Sequence, residues 1–248
     1  MSTAALVISR TVGACTTITL NSPGTRNALS QDLLAALRAA LQSVPQHSRV
    51  VVLGHAGSVF SAGLDLRAAT NGRVDLSELS GVIEDLWSMP RATIAFVDGA
   101  IRAGGIALAA SCDFLVVSSK TNFAFTEVMI GAVPALVSST VLRRAPAARL
   151  MEPFLTGRAL SAAEALNLGL VSIVDDDPQS RSSDLAERLA AAGPAALAAT
   201  VKMLRDAMAG EQRTLRELQA LSESAFASNE AQEGMRAFIE KRRPRWAD

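Results

Sequence analysis

The chain has 248 residues, of which 49% are hydrophobic and 19% are charged; this is enough apolar material for a substantial core and excludes an intrinsically disordered protein. The formal net charge is zero, so we expect neither a nucleic-acid nor a membrane partner, because both require a concentrated basic surface. With two histidines, and with Cys15 and Cys112 far apart in apolar surroundings, we expect no metal site and no disulfide, but buried free thiols in a reducing compartment.

The sequence offers no recognisable membrane or secretion signal. No uncharged apolar run reaches the roughly 18 residues of a membrane-spanning helix. The N-terminus lacks the charged start and the apolar block of a signal peptide. We therefore expect a cytoplasmic protein.

The first part of the chain predicts two strands, a helix and a further strand. Residues 5–20 predict a pair of strands about a turn at Thr11–Gly13. Leucines at spacings of three and four then predict a helix with Ser30 as its N-cap. The continuous apolar run at 49–57 predicts a strand that is buried on both faces.

The alternation of strands and helices continues along the next part of the chain. A capping box, "SAAE", predicts the start of one short helix, because its serine and glutamate can satisfy free amides at a helix N-terminus. The predicted elements, in order, are a helix with an apolar stripe (79–86), a strand (93–99), a helix of small residues (104–112), a strand (114–119), the capped helix (from 161) and a last strand (170–174).

The remainder of the chain predicts helices only. The stretch "DDDPQSRSSD" at 175–184 is typical of a loop, and no strand pattern returns after it. We therefore predict an α/β fold in two parts: a core of repeated ββα units at 1–183 and a C-terminal helical region at 184–248.

The helical region carries an apolar stripe that needs a cover. Either the stripe packs back on the core of the same chain, or it forms a subunit interface. Its members are Leu215, Leu218, Leu221, Phe226, Met235, Phe238 and Ile239.

Familiar catalytic motifs are missing. The chain has no tyrosine, neither histidine accompanies a G-x-S-x-G motif, and neither cysteine has a histidine near it in the sequence. The stretch "DGAIRAGGIAL" at 98–108 departs from the G-x-G-x-x-G pattern and lacks the acidic residue of a dinucleotide-binding site.

Two segments share a strand followed by a turn of very small residues. "VFSAGLDL" at 59–66 contains Ala62-Gly63, and "FVDGAIRAGGIAL" at 96–108 contains Gly104-Gly105. Small residues let backbone amides approach a ligand oxygen, and two converging amides form an oxyanion hole. Close packing of a helix on a strand would also require small residues. The two turns alone therefore do not distinguish an oxyanion hole from such packing.

In this order and spacing, the motifs resemble those of the crotonase (enoyl-CoA hydratase/isomerase) superfamily over nearly the whole chain. The resemblance implies ββα units wound into a spiral, and a C-terminal helical region that forms trimers or dimers of trimers. The motifs that carry it are "RNALS" (26–30), "FSAGLDL" (60–66), "VDGAIRAGGIALAASCDFLVV" (97–117), "FAFTEVMIGAVPA" (123–135), "LTGRALSAAEALNLGLV" (155–171) and "MRAFIEKRRPRW" (235–246).

The resemblance also implies a site for an acyl-CoA thioester, with coenzyme A as part of the substrate and no separate cofactor. The amides of Ala62 and Gly104 would bind the thioester carbonyl, with Gly105 completing the turn. The implied contacts to coenzyme A are Arg26 and Ala28 near the nucleotide, Leu64 and Asp65 beside the adenine, and Phe238 and Lys241 from the tail, either within one chain or across a subunit boundary.

One catalytic position departs from the family pattern. Hydratases of the common kind carry two glutamates, and the first of them corresponds to Ala107, which cannot transfer a proton. Acid–base chemistry would therefore depend on Glu127 alone. Because Glu127 lies among apolar residues in the sequence, we expect its pKa to be raised toward the range that is useful for proton transfer.

The resemblance leaves three functions open. The segment "AFTEVMIGAVPALVSS" resembles one-glutamate hydratases of the methylglutaconyl-CoA type, so we predict an enoyl-CoA hydratase, with Arg102, Arg143 or Arg144 as candidate partners for a carboxylated acyl chain. A Δ3,Δ2-enoyl-CoA isomerase needs only one glutamate, because a single proton moves between Cα and Cγ. A non-catalytic acyl-CoA-binding protein is the third possibility. The loop at 67–80 is expected to set acyl-chain preference.

Overall fold

The computed structural model describes residues 5–66 and 75–247. Its strands are β1 (Val7–Val12), β2 (Cys15–Leu20), β3 (Val50–His55), β4 (Val59–Ser61), β5 (Ala92–Val97), β6 (Ala100–Arg102), β7 (Phe114–Val117), β8 (Asn122–Ala124), β9 (Leu160–Ser161) and β10 (Ile173–Val174). Its α-helices are α1 (Gln31–Gln42), α2 (Ser77–Ser88), α3 (Gly104–Ala110), α4 (Ala135–Val141), α5 (Ala147–Thr156), α6 (Ala162–Asn167), α7 (Pro178–Ala190), α8 (Pro194–Met208), α9 (Leu215–Ala227) and α10 (Asn229–Ile239).

The strands form two sheets. The larger sheet has the order β1-β2-β3-β5-β7-β10; β1 and β2 are antiparallel, and every later pair is parallel. The smaller sheet has the order β4-β6-β8-β9, in which β4, β6 and β8 are parallel and β9 is antiparallel to β8.

Successive strand pairs repeat one arrangement. The first strand of each pair (β3, β5, β7) lies in the larger sheet, the second (β4, β6, β8) lies in the smaller sheet, and a helix (α2, α3, α4) follows. This confirms the predicted fold of repeated ββα units. The strands of the smaller sheet were not predicted, because three residues are too few to display the period-two pattern of a strand.

The larger sheet is covered on both faces, as the apolar run at 49–57 predicts. All residues of β3 and β5 are buried. Alternate side chains such as Val51 and Leu53 join the main core, whereas Val50 and Val52 pack with Ala186 of α7 and its neighbours on the other face.

Two predicted helix starts are confirmed by their caps. The Ser30 hydroxyl accepts a hydrogen bond from the Leu33 amide at the start of α1. At α6, the Ser161 hydroxyl accepts the Glu164 amide while the Glu164 carboxylate accepts the Ser161 amide, which is the predicted capping box.

The loop prediction for 175–184 is wrong over most of its length. Helix α7 begins at Pro178, and the Asp177 carboxylate caps it by accepting the Ser180 amide. Asp-Pro is a helix-start signal, because proline needs no amide partner in the first turn. Helix α7 therefore crosses the predicted boundary between residues 183 and 184.

The prediction of a buried thiol is confirmed for Cys112, whereas Cys15 is only half-buried. Cys15 and Cys112 are both free, and complete burial raises the pKa of Cys112 to about 12. Within residues 5–66 and 75–247, no helix has the length and apolar character needed to cross a bilayer, and no three metal-ligating side chains come together.

The apolar stripe of the helical region does not pack on the core of the same chain. Helix α9 has no buried residue, and Leu215 and Phe226 are exposed. In α10, Phe238 and Ile239 are exposed as well. The subunit interface stays a prediction.

Candidate active site

A cavity of about 250 Å³ lies beyond the carboxyl ends of the three parallel strands β4, β6 and β8. This is where open parallel sheets place their ligand sites, because the loops that leave neighbouring strands converge there. Its described lining residues are Ala62, Leu64, Leu66, Leu76, Leu79, Ala103, Gly104, Thr126, Glu127, Ile130, Ala132, Val133, Pro134, Ala135, Leu136 and Val137.

The turn after β4 is fixed by backbone hydrogen bonds to the chain before α1. The Leu29 amide donates to the Gly63 carbonyl (2.8 Å), and the Asp65 amide donates to the Leu29 carbonyl (3.3 Å). These bonds hold Leu64 between them as a bridge partner of Leu29. The Leu64 amide itself has no acceptor among residues 5–66 and 75–247, and Leu64 lines the cavity.

The prediction for Ala62 needs correction. Its amide donates to the Arg26 carbonyl at 3.0 Å, so it is already engaged within the chain. Among the described residues of this turn, the amide without an acceptor is that of Leu64, for which the family resemblance predicts a place beside the adenine of coenzyme A. Sequence alone could not distinguish the two, because the acceptor comes from a different part of the chain.

The turn after β6 supplies the second amide. Gly104 and Gly105 open α3, where the first amides have no partner within the helix. A Cβ on Gly104 would lie 3.3 Å from the side chains of both Leu29 and Leu79, and one on Gly105 would lie 2.7 Å from the Ser61 Cβ. Gly105 is therefore required for the close approach of the two turns, whereas a Cβ on Gly104 would make a tight contact with the two leucines. Gly104 also reaches the cavity wall.

Ala103, which precedes these glycines, has a strained backbone. Its φ of 47° and ψ of −123° lie in a region that L-residues rarely adopt. The Ala103 amide donates to the Ala124 carbonyl of β8, and the Ala103 carbonyl accepts the Ile106 amide. The surrounding hydrogen bonds thus hold the conformation that aims the start of α3 at the cavity.

Glu127 supplies the cavity with a carboxyl group. It opens a 3₁₀ helix, Glu127–Ile130, directly after β8. Its Oε2 atom is buried and has no hydrogen-bond partner within the described part of the chain. Burial raises the pKa of Glu127, and a hydrogen bond from its own backbone amide offsets this in part. The direction of the predicted pKa shift is confirmed.

Within residues 5–66 and 75–247, no second carboxyl group lines the cavity with Glu127. Ala107 is fully buried inside α3 and belongs to the main core rather than to the cavity wall. Among the described lining residues, Glu127 has the only ionisable side chain, and Thr126 has the only other polar one.

The segment at 26–28 lies next to the turn after β4. Arg26 is exposed and has a left-handed backbone, with φ 56°, and Ala28 is half-buried. Between them, Asn27 is a structural residue that sequence reasoning missed. Its buried side-chain amide donates to the carbonyls of Ala56 and Val59 and accepts the Ser22 amide. A polar side chain that satisfies three backbone groups explains why this loop keeps its shape.

The predicted contacts from the tail are not brought to the cavity within one chain. Phe238 is 85% exposed in α10, and Lys241 follows that helix with φ 53°. Neither residue lines the cavity. Asp65 is half-buried beside Leu64. The coenzyme A roles of these residues stay predictions.

The three arginines that were candidate partners for a carboxylated substrate have structural roles. Arg102 donates to the Asn122 carbonyl and side chain. Arg144 donates to the carbonyls of Cys112 and Leu170, and burial lowers its pKa. The Arg143 guanidinium lies 3.7 Å from the centre of the Trp87 ring. None of the three lines the cavity, and this expectation is wrong.

The structure describes only part of the loop at 67–80, which was predicted to set acyl-chain preference. Residues 67–74 lie outside the described residues. Its C-terminal end supplies Leu76 and Leu79 to the cavity wall.

Comparisons with known proteins agree with this arrangement. The family model described as enoyl-CoA hydratase/isomerase matches residues 10–248. The chain is 32% identical over 259 aligned residues, which cover 98% of this chain and 88% of the relative, to enoyl-CoA hydratase domain-containing protein 3, mitochondrial, of Danio rerio. It is 30% identical over 242 residues, covering 92% of this chain and 91% of the relative, to enoyl-CoA hydratase EchA19 of Mycobacterium tuberculosis.

Solved structures give the same result. An enoyl-CoA hydratase from Mycobacterium tuberculosis H37Rv superimposes with a TM-score of 0.87 at 30% identity, covering 97% of this chain and 98% of that one. Pseudomonas aeruginosa AtuE superimposes with a TM-score of 0.88 at 29% identity, covering 98% of this chain and 100% of that one.

Proposed function

The chain belongs to the enoyl-CoA hydratase/isomerase family of the crotonase superfamily, and from this premise we propose that it adds water to the double bond of an α,β-unsaturated acyl-CoA thioester. The observation that carries the proposal is the buried Oε2 atom of Glu127, which has no hydrogen-bond partner in the described part of the chain and belongs to the cavity that Leu64 and Gly104 also line. A buried polar atom without a partner is costly for a fold, and function is a common reason for keeping one.

The two amides are the proposed donors to the thioester oxygen. Addition of water at Cβ moves electrons toward the thioester and places negative charge on that oxygen. Donors that are already oriented toward this oxygen stabilise the charge, and each is typically worth about 3 kcal/mol in the transition state. In this proposal Leu64 replaces Ala62 as the first donor, and Gly104 keeps its predicted role.

Glu127 is the proposed acid and base. Its carboxylate removes a proton from water, the resulting oxygen bonds to Cβ, and the double-bond electrons form the thioester enolate. The protonated carboxyl then gives the same proton to Cα, so that one hydrogen and one hydroxyl have been added and the carboxylate is regenerated. A raised pKa suits both halves of this cycle. The Thr126 hydroxyl is the other polar side chain available to the attacking water.

Isomerisation is a second candidate that one observation favours. Because Ala107 is buried in the core, one carboxyl must carry out all proton transfer. Moving a proton between Cα and Cγ through the same enolate needs no water and no second carboxyl.

Substrate binding outside the cavity follows the predictions for coenzyme A. We propose that Arg26, Ala28 and Asp65 contact it from the turns beside the cavity. Phe238 and Lys241 would join from a neighbouring subunit if the exposed stripe of α9 and α10 forms a trimer. No cofactor besides the coenzyme A of the substrate enters the reaction.

A substrate panel tests the reaction. Purified protein is given crotonyl-CoA and a 3-enoyl-CoA, and the absorbance of the conjugated thioester is followed. Loss of absorbance with crotonyl-CoA is expected for hydration. If the absorbance increases with the 3-enoyl-CoA and does not change with crotonyl-CoA, the protein is an isomerase rather than a hydratase. Turnover of neither, together with tight binding of acyl-CoA, would contradict both reactions and favour a binding protein.

A further inference from the structure

A buried hydroxyl group takes part in fixing the turn after β4. Three of the four backbone amides at 62–65 donate hydrogen bonds within the chain, and the first and last of these donate to carbonyls of the segment before α1. The Gly63 amide instead donates to a side chain, the hydroxyl oxygen of Ser61, at 3.1 Å. Ser61 ends β4 and is completely buried, so water does not compete for this hydrogen bond.

The backbone of Gly63 needs such a constraint. Its φ is 88°, and a glycine has no Cβ that would restrict rotation of the peptide groups on either side. The next peptide group carries the Leu64 amide, so a rotation at Gly63 would redirect that amide. The hydrogen bond to Ser61 opposes the rotation, because a buried Gly63 amide that lost its acceptor would be costly.

Ser61 also packs against the turn after β6. A Cβ on Gly105 would lie 2.7 Å from the Ser61 Cβ and 3.0 Å from its hydroxyl oxygen. The Ser61 side chain is therefore in direct contact with the backbone of Gly105, which follows Gly104 at the start of α3. One side chain thus contacts both turns: it accepts the amide of the first and packs against the backbone of the second.

We propose that Ser61 is a positioning residue, whose hydroxyl orients the Leu64 amide toward the thioester oxygen and fixes its place relative to the Gly104 amide. The inference rests on the proposed function, because it takes these two amides as the donors to that oxygen. Ser61 acts through them, since it is not among the described residues that line the cavity. Donors that are oriented in advance stabilise a developing charge without reorganisation, and misaligned donors lose this advantage.

The infrared band of a bound thioester carbonyl tests the inference without any turnover. The probe is butyryl-CoA with a ¹³C-labelled thioester carbonyl, bound to the full chain. Two donated hydrogen bonds polarise this carbonyl, so its stretching band should move to lower frequency on binding. Ser61→Ala removes the hydroxyl but keeps the Cβ that contacts Gly105, and it should abolish at least about half of that shift.

The matched control is Ser48→Ala. Ser48 is also a buried serine, and its hydroxyl accepts the Thr16 hydroxyl and donates to the Val50 carbonyl. It precedes β3, at the opposite end of the strands from the cavity, and does not line the cavity. Denaturant unfolding should show a loss of stability in both variants, whereas the carbonyl shift should stay unchanged in Ser48→Ala.

Steady-state kinetics gives a second readout. Ser61→Ala should lower kcat on the preferred enoyl-CoA by about tenfold, which is less than the loss of a whole donor, because the Leu64 amide is displaced and not removed. KM should stay within about twofold, since the donors act mainly on charge that develops in the transition state. Ser48→Ala should change neither constant.

Two results would overturn the inference: an unchanged carbonyl shift in Ser61→Ala, or an equal loss of the shift in Ser61→Ala and Ser48→Ala. If the natural chain binds the probe without any shift, the two donors and the inference fail together. Failure of the proposed reaction would look different. In that case the carbonyl shifts would follow the expected order while no enoyl-CoA was turned over.

Discussion

Two half-buried carboxyl groups in this chain have opposite surroundings. Asp113 lies at the start of β7, and both of its oxygens accept hydrogen bonds from the Arg205 guanidinium at 2.7 Å. One of these oxygens also accepts the amide and the hydroxyl of Thr93. Glu127, by contrast, keeps a buried oxygen with no partner in the described part of the chain.

The difference separates a structural carboxyl from the carboxyl that we propose as the acid and base. Arg205 also donates to the carbonyls of Trp87, Met89 and Arg91, so the Asp113 pair fastens α8 to the core with its polar atoms satisfied. A group that is fully paired can stabilise the fold but cannot exchange a proton with a substrate. An unpaired carboxyl destabilises the fold, and it remains available for chemistry.

The largest expected effect is a loss of activity when the carboxyl of Glu127 is removed. Glu127→Gln should reduce kcat by about 10²- to 10⁴-fold on the preferred enoyl-CoA, because an amide cannot transfer the proton. Steady-state kinetics measures the loss, and Glu211→Gln, at an exposed position, is the control. Activity that survives within a few-fold would remove Glu127 from the mechanism.

Removal of the Asp113 carboxyl should instead reduce the stability of the fold. Asp113→Ala should lower the free energy of unfolding by about 3 kcal/mol, because it leaves the Arg205 guanidinium largely buried without its counter-charge. Denaturant unfolding measures the change. Glu152→Ala, which removes an exposed partner of Arg158, should produce a much smaller one. Equal losses would show that burial is not what distinguishes the two pairs.

The contact between the two turns is tested at Gly105. Gly105→Ala should cost about 1–3 kcal/mol of unfolding free energy and reduce activity, because the new methyl would lie 2.7 Å from the Ser61 Cβ and force the turns apart. Gly24→Ala is the control, since nothing lies within 4 Å of a Cβ there. An unchanged Gly105→Ala protein would mean that this contact can relax freely.

The backbone strain at Ala103 gives a further test of stability. Ala103→Gly should raise the free energy of unfolding by about 1 kcal/mol, because relief of strain at φ 47° exceeds the added entropy of an unfolded glycine. Denaturant unfolding measures the gain, and activity should be retained because the Gly104 amide keeps its place. A loss of stability would show that the Ala103 methyl contributes more by packing than its backbone costs.

The smallest expected effect is a pH dependence of stability. Burial raises the pKa of Glu127 above its usual 4.5, so the folded chain holds this proton more tightly than the unfolded chain does. The group's contribution is therefore fully present below pH 4.5 and is lost as pH rises through the raised pKa. The unfolding free energy of Glu127→Gln relative to the natural chain should increase over that interval. A flat difference from pH 4 to pH 8 would contradict the raised pKa.

The sequence alone was sufficient for the longer elements and for the family. Apolar periodicity predicted α1, α2 and β3, because a helix or strand that buries one or two faces must repeat its apolar residues at the matching spacing. The spacing of the glycine turns and of Glu127 carried the resemblance to the superfamily. These features depend on residues that are close together in the sequence, so they can be recognised without knowing how distant segments pack.

Tertiary structure decided which atoms are free. The amide of Ala62 donates to the Arg26 carbonyl, which comes from a distant segment, whereas the amide of Leu64 has no acceptor in the described part of the chain. Distant segments also determine the role of Arg144. Its guanidinium donates to the carbonyls of Leu170, between α6 and β10, and of Cys112, before β7, and so it does not face a substrate. Residue type fixes what a group can donate or accept, whereas only the packing of distant segments determines whether its partner is already present.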